Sequence, residues 1–455
     1  MLVAVVLAQA ALPSYAAHST LQPFVGIAGD LATYMGSNTR INYNATETVL
    51  KKTTIAGLKL HWKYQAGGVV DTQPVIVNGV LYWGSWDGFE HATDLSGKQL
   101  WQVFLGKNTP PGKCIPSSAG VAATSTVSTL LINGRNTEVV FVGGGNDRFY
   151  ALNAATGAVI WSTPLGTLPN EMIWAGSAFY QGSIYVGISS FGDCPLQPGH
   201  LFRLSATTGV VENTFNTTAN NCNGAGVWNA PAVDVATNTI FFSTGTRTTC
   251  GQYESLAYAV VQLRSSDLTL VHSWQVPLAQ QKFDSDFGDS PTLFTTRVGG
   301  TFHPMVGILN KNGIYYALDR TNISAGPVWE RQVAGAISNI AASAWDGTTL
   351  YVGTAATTMN GKNCRGSVWA LNPATGQPRW EFCAPGKVIA APTVIPGLVI
   401  IGSGNHLIIL DTATGLPMFQ YDVAGLASTF LGSATVSHGV LYVGNGNGGL
   451  YAFGL

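Results

Sequence analysis

Charge is scarce in this chain. Charged residues make up 10% of its 455 positions and the net charge is −1, where an average soluble domain carries roughly 25%. No basic block occurs, which excludes an electrostatic phosphate-binding surface and with it nucleic acid as a partner. Long apolar runs are also lacking beyond the first 17 residues. The opening run, Leu2 to Leu12, falls short of the roughly 20 residues that a spanning helix needs, so a membrane-spanning chain is excluded. No stretch repeats with the 3.6-residue period of an amphipathic helix. No Cys-x-x-Cys, paired-His or Cys-x-x-Cys-His motif is present, so neither a zinc site nor a covalent haem is expected.

Hydrophobic residues nevertheless reach 46% and glycines number 54. A large core is affordable, and the surface must be built from Gly, Ser, Thr and Asn. Residues 1–17 read as a secretory signal, with Ser14-Tyr15-Ala16 as a small-residue cleavage site. That assigns the mature chain to a secreted, periplasmic or other extracytoplasmic setting. Six cysteines, an even number, then favour disulfides.

One pattern recurs along the rest of the chain. Two alternating apolar runs are followed by a turn ending in Thr-Gly and then by a Trp. Copies are Tyr150-Ala-Leu-Asn-Ala-Ala-Thr-Gly-Ala-Val-Ile-Trp161, Val368-Trp-Ala-Leu-Asn-Pro-Ala-Thr-Gly-Gln-Pro-Arg-Trp380 and Leu407-Ile-Ile-Leu-Asp-Thr-Ala-Thr-Gly-Leu-Pro-Met-Phe419. The Asn or Asp caps its own backbone and the Gly takes the positive φ of the hairpin. Ahead of each hairpin lies a strand pair such as Gly439-Val-Leu-Tyr-Val-Gly444. Four short strands repeated every 40–60 residues predict a β-propeller. Outer strands are marked by Trp62, Trp101, Trp161, Phe215, Trp274, Trp329, Trp380 and Phe419, which predicts eight blades. The first outer strand, residues 58–64, has no hairpin partner, and the last run, Leu450 to Phe453, has no fourth strand. Pairing the two closes the ring and removes open sheet edges. The expected organisation is a signal (1–17), a lead-in (18–57) and one all-β domain (58–455), an eight-bladed propeller of antiparallel four-stranded blades. A closed ring needs no partner, so a monomer is expected.

The Ala-Leu-Asn-x-x-Thr-Gly-x-x-x-Trp repeat resembles the tryptophan-docking motif of the quinoprotein alcohol dehydrogenases. Asp30 to Thr48, Ser189-Ser-Phe-Gly-Asp-Cys194, Gly226-Val-Trp-Asn-Ala-Pro-Ala-Val-Asp234 and Asp284-Ser-Asp-Phe-Gly-Asp-Ser-Pro291 are similar to the polyvinyl-alcohol-dehydrogenase-like branch. The resemblance implies pyrroloquinoline quinone on the propeller axis, hydride transfer to it and an aspartate base. It implies Asp286 as that base with Asp284 beside it, and Trp228 under the quinone plane. Lys311, in the Asn310-Lys-Asn312-Gly turn, would polarise a quinone oxygen, with Thr246 and Asn312 also lining the cofactor. The family's calcium ligands are not matched: Thr246 stands where an Asn belongs, and Phe191 falls near the position of a Glu. Calcium is therefore not expected from these positions, since a hard cation needs several oxygens. The adjacent-cysteine pair of the family is absent as well.

Two functions follow. One is an extracytoplasmic oxidoreductase acting on alcohols or polyols; the other is a non-catalytic propeller that binds a protein or ligand at its rim. Cys114, Cys222 and Cys383 fall in loops that leave a fourth strand, and Cys194, Cys250 and Cys364 in loops joining second to third strands, so all six should share one face. Cys364 and Cys383 flank a single hairpin and are expected to be bonded. The other four allow three connectivities. The same within-blade geometry favours Cys194–Cys222, leaving Cys114–Cys250.

Overall fold

The computed structural model describes residues 29–455 except 220–221, 248–249, 251–252, 283, 299, 336–337 and 426–427; the signal segment lies outside the described residues. Eight four-stranded antiparallel sheets follow one another round a ring. Blade 1 runs from Val75–Val77 to Gln99–Phe104, blade 2 from Thr126–Ile132 to Val159–Pro164, and blade 3 from Ala178–Tyr180 to Val211–Asn216. Blade 4 runs from Ala232–Asp234 to Leu270–Gln275, blade 5 from Thr292–Val298 to Pro327–Gln332, blade 6 from Ala344–Trp345 to Pro378–Ala384, and blade 7 from Thr393–Ile395 to Pro417–Asp422. Blade 8 takes its inner three strands from the C-terminus, Thr435–Ser437, Val440–Gly444 and Gly449–Gly454. Its outer strand, Lys59–Gln65, pairs antiparallel with Gly449–Gly454, so the two chain ends close the ring as the incomplete repeats predict.

Each recurring Trp is explained by what it touches in the next blade. Trp101 donates its indole N–H to Ala154 O at 2.8 Å, and Trp161, Trp329 and Trp380 do the same to Ala206, Pro373 and Thr412. The ring lies on the Gly of that turn. A Cβ at Gly157 would stand 2.8 Å from Trp101, and one at Gly376 2.4 Å from Trp329. The Thr-Gly turn thus needs Gly twice, for positive φ and for the close approach of the indole. Eight buried clusters fill the interfaces between neighbouring blades; Phe241, Val260, Val306 and Ile308, for example, join blades 4 and 5.

The lead-in does what no repeat predicts. Its residues pass along the inner strands and bond each in turn. Leu31 and Ile76 exchange backbone hydrogen bonds in blade 1, and Ala32 O accepts from Val127 N in blade 2. The Asn38 amide donates to Phe179 O in blade 3. Carbonyls of Asn38, Thr39, Ile41 and Asn42 accept from Val233, Leu293, Trp345 and Val394 of blades 4 to 7. Asn44 donates its amide to Val436 O of blade 8. The bore is thereby closed below the face that carries the loops entering each inner strand. Arg40 locks this plug. It is 0% exposed, and its guanidinium donates to the carbonyls of Pro231, Tyr34 and Ser177 at 2.9, 2.7 and 3.0 Å and to the Thr33 hydroxyl. Burial pulls its pKa down to about 10, which still leaves it charged at neutral pH.

Among the described residues no helix is long and apolar enough to cross a membrane. Several buried carboxyls depart strongly from ordinary values: burial raises Asp289 well above the usual range, and pushes Glu90, held by the Ser125 hydroxyl, to about 8 and Asp147 to about 7.

Two predictions follow from this interior. Arg40→Met removes the guanidinium and strands its carbonyl acceptors, so the urea midpoint should fall by the equivalent of at least about 3 kcal/mol; an unchanged midpoint would contradict the plug. For Glu90 and Asp147 the folded pKa exceeds the unfolded value of about 4. Their stabilising contribution is complete below that value and is lost as pH rises through about 7 to 8. The melting temperature should therefore decline from pH 6 to 9, and Glu90→Gln should shrink the decline; an unchanged slope in the variant would contradict it.

Candidate functional site

Loops entering the inner strands and loops joining second to third strands share one face, the mouth of the ring. In the plug Met35 packs with Ala342 and Ala391, beside Tyr34. The loop from blade 3 into blade 4 brings in Trp228. Val227 N donates to Ile188 O, the Asn229 amide spans to Ser243 O at 2.8 Å, and Ala230 N reaches the Ser290 hydroxyl. These bonds fix Trp228, whose ring edge rests on Gly288, where a Cβ would come within 2.4 Å of it.

The loop into blade 5 delivers Asp284 and Asp286, and the turn 310–313 of that blade delivers Lys311. Asn310 sews the two together: its amide donates to Ser285 O at 2.8 Å, while Lys311 N donates to Asp286 O at 3.1 Å. The Lys311 ammonium lies 2.8 Å from Asp284 Oδ1 and 2.6 Å from Asp286 Oδ1. It also stands 4.9 Å from the centroid of the Trp228 ring, a cation over a π face. The Asp284 contact is a hydrogen bond. The Asp286 contact, at 2.6 Å, is a close charge-assisted pair.

Burial sets the electrostatics. Asp286 is 3% exposed; burial pushes its carboxyl up to about 6, against the pull of Lys311. Burial alone would lower Lys311, but the two carboxylates outweigh it and hold the ammonium above the usual lysine value. The result is a buried base that is ionised at neutral pH and a cation that keeps its proton. A Cβ at Gly245 would stand 3.2 Å from the Gly226 backbone, so the close approach of these two loops is what requires Gly there.

Trp228, Thr246, Asp284, Asp286 and Lys311 therefore gather at one mouth, whereas Asn312 does not join them. Its amide is fully buried and spent on Tyr316 Oη at 2.9 Å and Gln280 O, while its Oδ1 accepts from Ile314 N. An Asx turn that shapes the hairpin accounts for it, so Asn312 is not a cofactor ligand in this structure. Sequence reading missed Asn310, Tyr258 and Asp193. Tyr258 lies beside Thr246 and within electrostatic reach of Asp286. Asp193, exposed on the loop after Phe191, feels Lys311 and Asp284. Left-handed backbone at non-glycine residues would have been the signal in the coordinates: Asp193, Ala225, Tyr258, Asp284 and Ser338 all have φ between +50° and +63° and all lie in loops at this mouth. Such strain concentrates at functional sites.

Two of the disulfide expectations need correction. Cys364–Cys383 is bonded, but the others are Cys114–Cys194 and Cys222–Cys250, not Cys194–Cys222 and Cys114–Cys250. The loop bearing Cys222 lies between two others: Gly224 bridges to Pro198 on one side and to Arg247 on the other, and Ala225 N donates to Thr246 O. Cys222 is carried onto the blade 4 loop of Cys250, and Cys194 is left facing Cys114 across blades.

A flat cofactor with polar oxygens fits the residues present, which offer an aromatic face, a fixed cation and a buried base. A calcium ion does not. Phe191 is 0% exposed and packs against Cys114, Ala119 and Met172, while the Thr246 hydroxyl offers a lone, poorly partnered oxygen. Among the described residues the one trio of ligand atoms close enough for a metal is Cys222, Cys250 and Glu254, and its sulfurs are consumed by a disulfide. One prediction follows from the charge cluster. In Lys311→Met the Asp286 carboxyl should titrate well above about 6 by carbon NMR, because burial then acts without the ammonium; an unmoved titration would remove Lys311 as its partner.

Comparison with known proteins agrees with this frame. Residues 91–212 and 311–455, well over half of the chain, match the family model PQQ_2, described as "Outer membrane protein assembly factor BamB". A polyvinylalcohol dehydrogenase of Sphingopyxis sp. (strain 113P3) is 26% identical over 87% of this chain and 69% of its own length. The structure of the quinohemoprotein alcohol dehydrogenase from Comamonas testosteroni superposes with a TM-score of 0.76, covering 94% of this chain and 80% of its own at 15% identity. A europium-containing methanol dehydrogenase gives 0.73, over 94% and 98%, at 16%. With the docking repeat, the eight-bladed ring and the family match in agreement, the chain belongs to the PQQ_2 family of β-propellers.

Proposed function

We propose that the chain is an extracytoplasmic oxidoreductase that uses pyrroloquinoline quinone to oxidise alcohols. The observation that carries this reading is the Lys311 ammonium set over Trp228 and between two carboxylates. A bound quinone would supply the two-electron acceptor. Trp228 offers the face against which such a plane stacks. Lys311, fixed by Asp284 and Asp286, presents its remaining N–H to an electron-rich oxygen and favours negative charge there without reorganisation. Asp286, raised to about 6 yet ionised at neutral pH, takes the hydroxyl proton of the alcohol as general base. The floor of Tyr34 and Met35 leaves the mouth as the route of entry. Polyvinylalcohol dehydrogenase, methanol dehydrogenase and quinohemoprotein alcohol dehydrogenase among the similar proteins support alcohols as the substrate class. Three disulfides support an oxidising compartment, and one closed ring supports a monomer.

A second reading is a binding scaffold that keeps the propeller without the chemistry. It is favoured by Phe191, buried where a metal-ligand glutamate would be required.

Titration of the purified chain with pyrroloquinoline quinone, with and without calcium or magnesium, separates the two. The oxidoreductase reading expects a spectral change and a thermal shift at micromolar quinone. It expects dye-linked alcohol oxidation that declines as pH drops through about 6, where Asp286 gains its proton. In Asp286→Asn, kcat/KM should fall by roughly a hundredfold or more while quinone binding survives. Absence of any quinone binding leaves the scaffold reading in possession.

A further inference from the structure

Of the 12 tryptophans, those in the outer strands are accounted for by docking between blades, and Trp228 belongs to the charge cluster. Of the five that remain, Trp83, Trp345 and Trp369 lie within strands, whereas Trp86 and Trp174 stand in loops. Trp86 stands in the loop between second and third strands of blade 1, and Trp174 in the loop entering blade 3. They come from sequence positions far apart, yet their rings meet edge to face at 6.3 Å and 61°. Trp174 then meets Phe191 at 5.3 Å. Both indoles are half-buried, over a fully covered base of Ala119, Met172 and Phe191. The Trp174 N–H is anchored on Ser190 O at 3.1 Å, so the ring is held rather than free to turn. Beside them Ile115 is 86% exposed, on the loop that the Cys114–Cys194 disulfide clips to this edge.

The patch is continuous with the charge cluster. The loop from Ser190 to Cys194 carries Phe191 into the aromatic base and, two residues on, Asp193 to the electrostatic neighbourhood of Lys311 and Asp286. Walking round the mouth, an aromatic shelf on blades 1 to 3 thus leads to a base and a cation on blades 4 and 5.

Resting on the proposed alcohol oxidation at Asp286, we propose that Trp86 and Trp174 form a subsite for the carbon chain of a long, neutral, hydroxyl-bearing substrate while one of its alcohol groups is at Asp286. The chemistry of the shelf fits that class. Held indole faces take up C–H surfaces and tolerate hydroxyls at their rims. The subsite would distinguish long from short substrates rather than promote the reaction.

The test is isothermal titration of the full chain with poly(vinyl alcohol) oligomers and with a short diol, for the parent, Trp86→Ala, Trp174→Ala and the double variant. Circular dichroism checks the fold, and Trp174→Phe serves as the conservative variant. The parent should bind the oligomer about tenfold or more tightly than the diol. The double variant should lose that advantage, with diol affinity and quinone affinity unchanged, and Trp174→Phe should recover most of it. Equal oligomer affinity in the parent and the double variant, or no length dependence in the parent, overturns the subsite. Loss of quinone affinity in place of oligomer affinity overturns it too, by assigning the shelf to the cofactor. If quinone fails to bind the parent while the tryptophan-dependent length effect persists, the oxidoreductase reading falls and the subsite stands.

Discussion

A ring of β-sheets has an exposed flank that closing the ring does not remove. Every blade ends at the axis in an inner strand, and each such strand has backbone groups facing the bore with no neighbouring strand to pair them. Here the lead-in meets that requirement for all eight blades within Leu31 to Asn44, in chain order, and Arg40 holds its turn by donating to carbonyls on several sides. The constraint has a functional consequence. The lead-in crosses the bore beneath the loops of the mouth. Arg40 also donates to Pro231 O, three residues from Trp228, so the plug and the aromatic wall of the site are parts of one hydrogen-bonded frame.

Within that frame the site is a balance of burial against charge. Two carboxylates brought to one place would repel, and a buried lysine alone would shed its proton. Together they stabilise one another's ionised forms. The ammonium offsets the charge of both carboxylates, and Phe191 is part of an apolar base. An organic cofactor needs a face and a directed donor more than it needs a coordination sphere, and those are the features this mouth retains.

Much of this was legible in the sequence because it repeats. The Thr-Gly turn and the Trp that follows it encode both a hairpin and its docking to the next blade, and the two incomplete end repeats encode closure. The cluster of Trp228, Asp284, Asp286 and Lys311 was legible only through the resemblance to the quinoprotein alcohol dehydrogenases, which implied those positions. The plug was not. Its contacts are backbone hydrogen bonds and a buried guanidinium, neither of which leaves an apolar period. The disulfide partners of Cys114 and Cys222 depend on which way an irregular loop turns, and no periodicity records that. Asn312 read as a site residue because it adjoins Lys311, although a tight turn alternates the directions of its side chains and sends this one inward.

The most direct measurement of the account is a crystal structure of the protein soaked with pyrroloquinoline quinone. The account requires the quinone plane against the Trp228 ring, one of its oxygens at the Lys311 ammonium, and the lead-in still in place beneath. A quinone ordered elsewhere on the propeller, or a Trp228 ring that stays covered by protein on both faces, would contradict it.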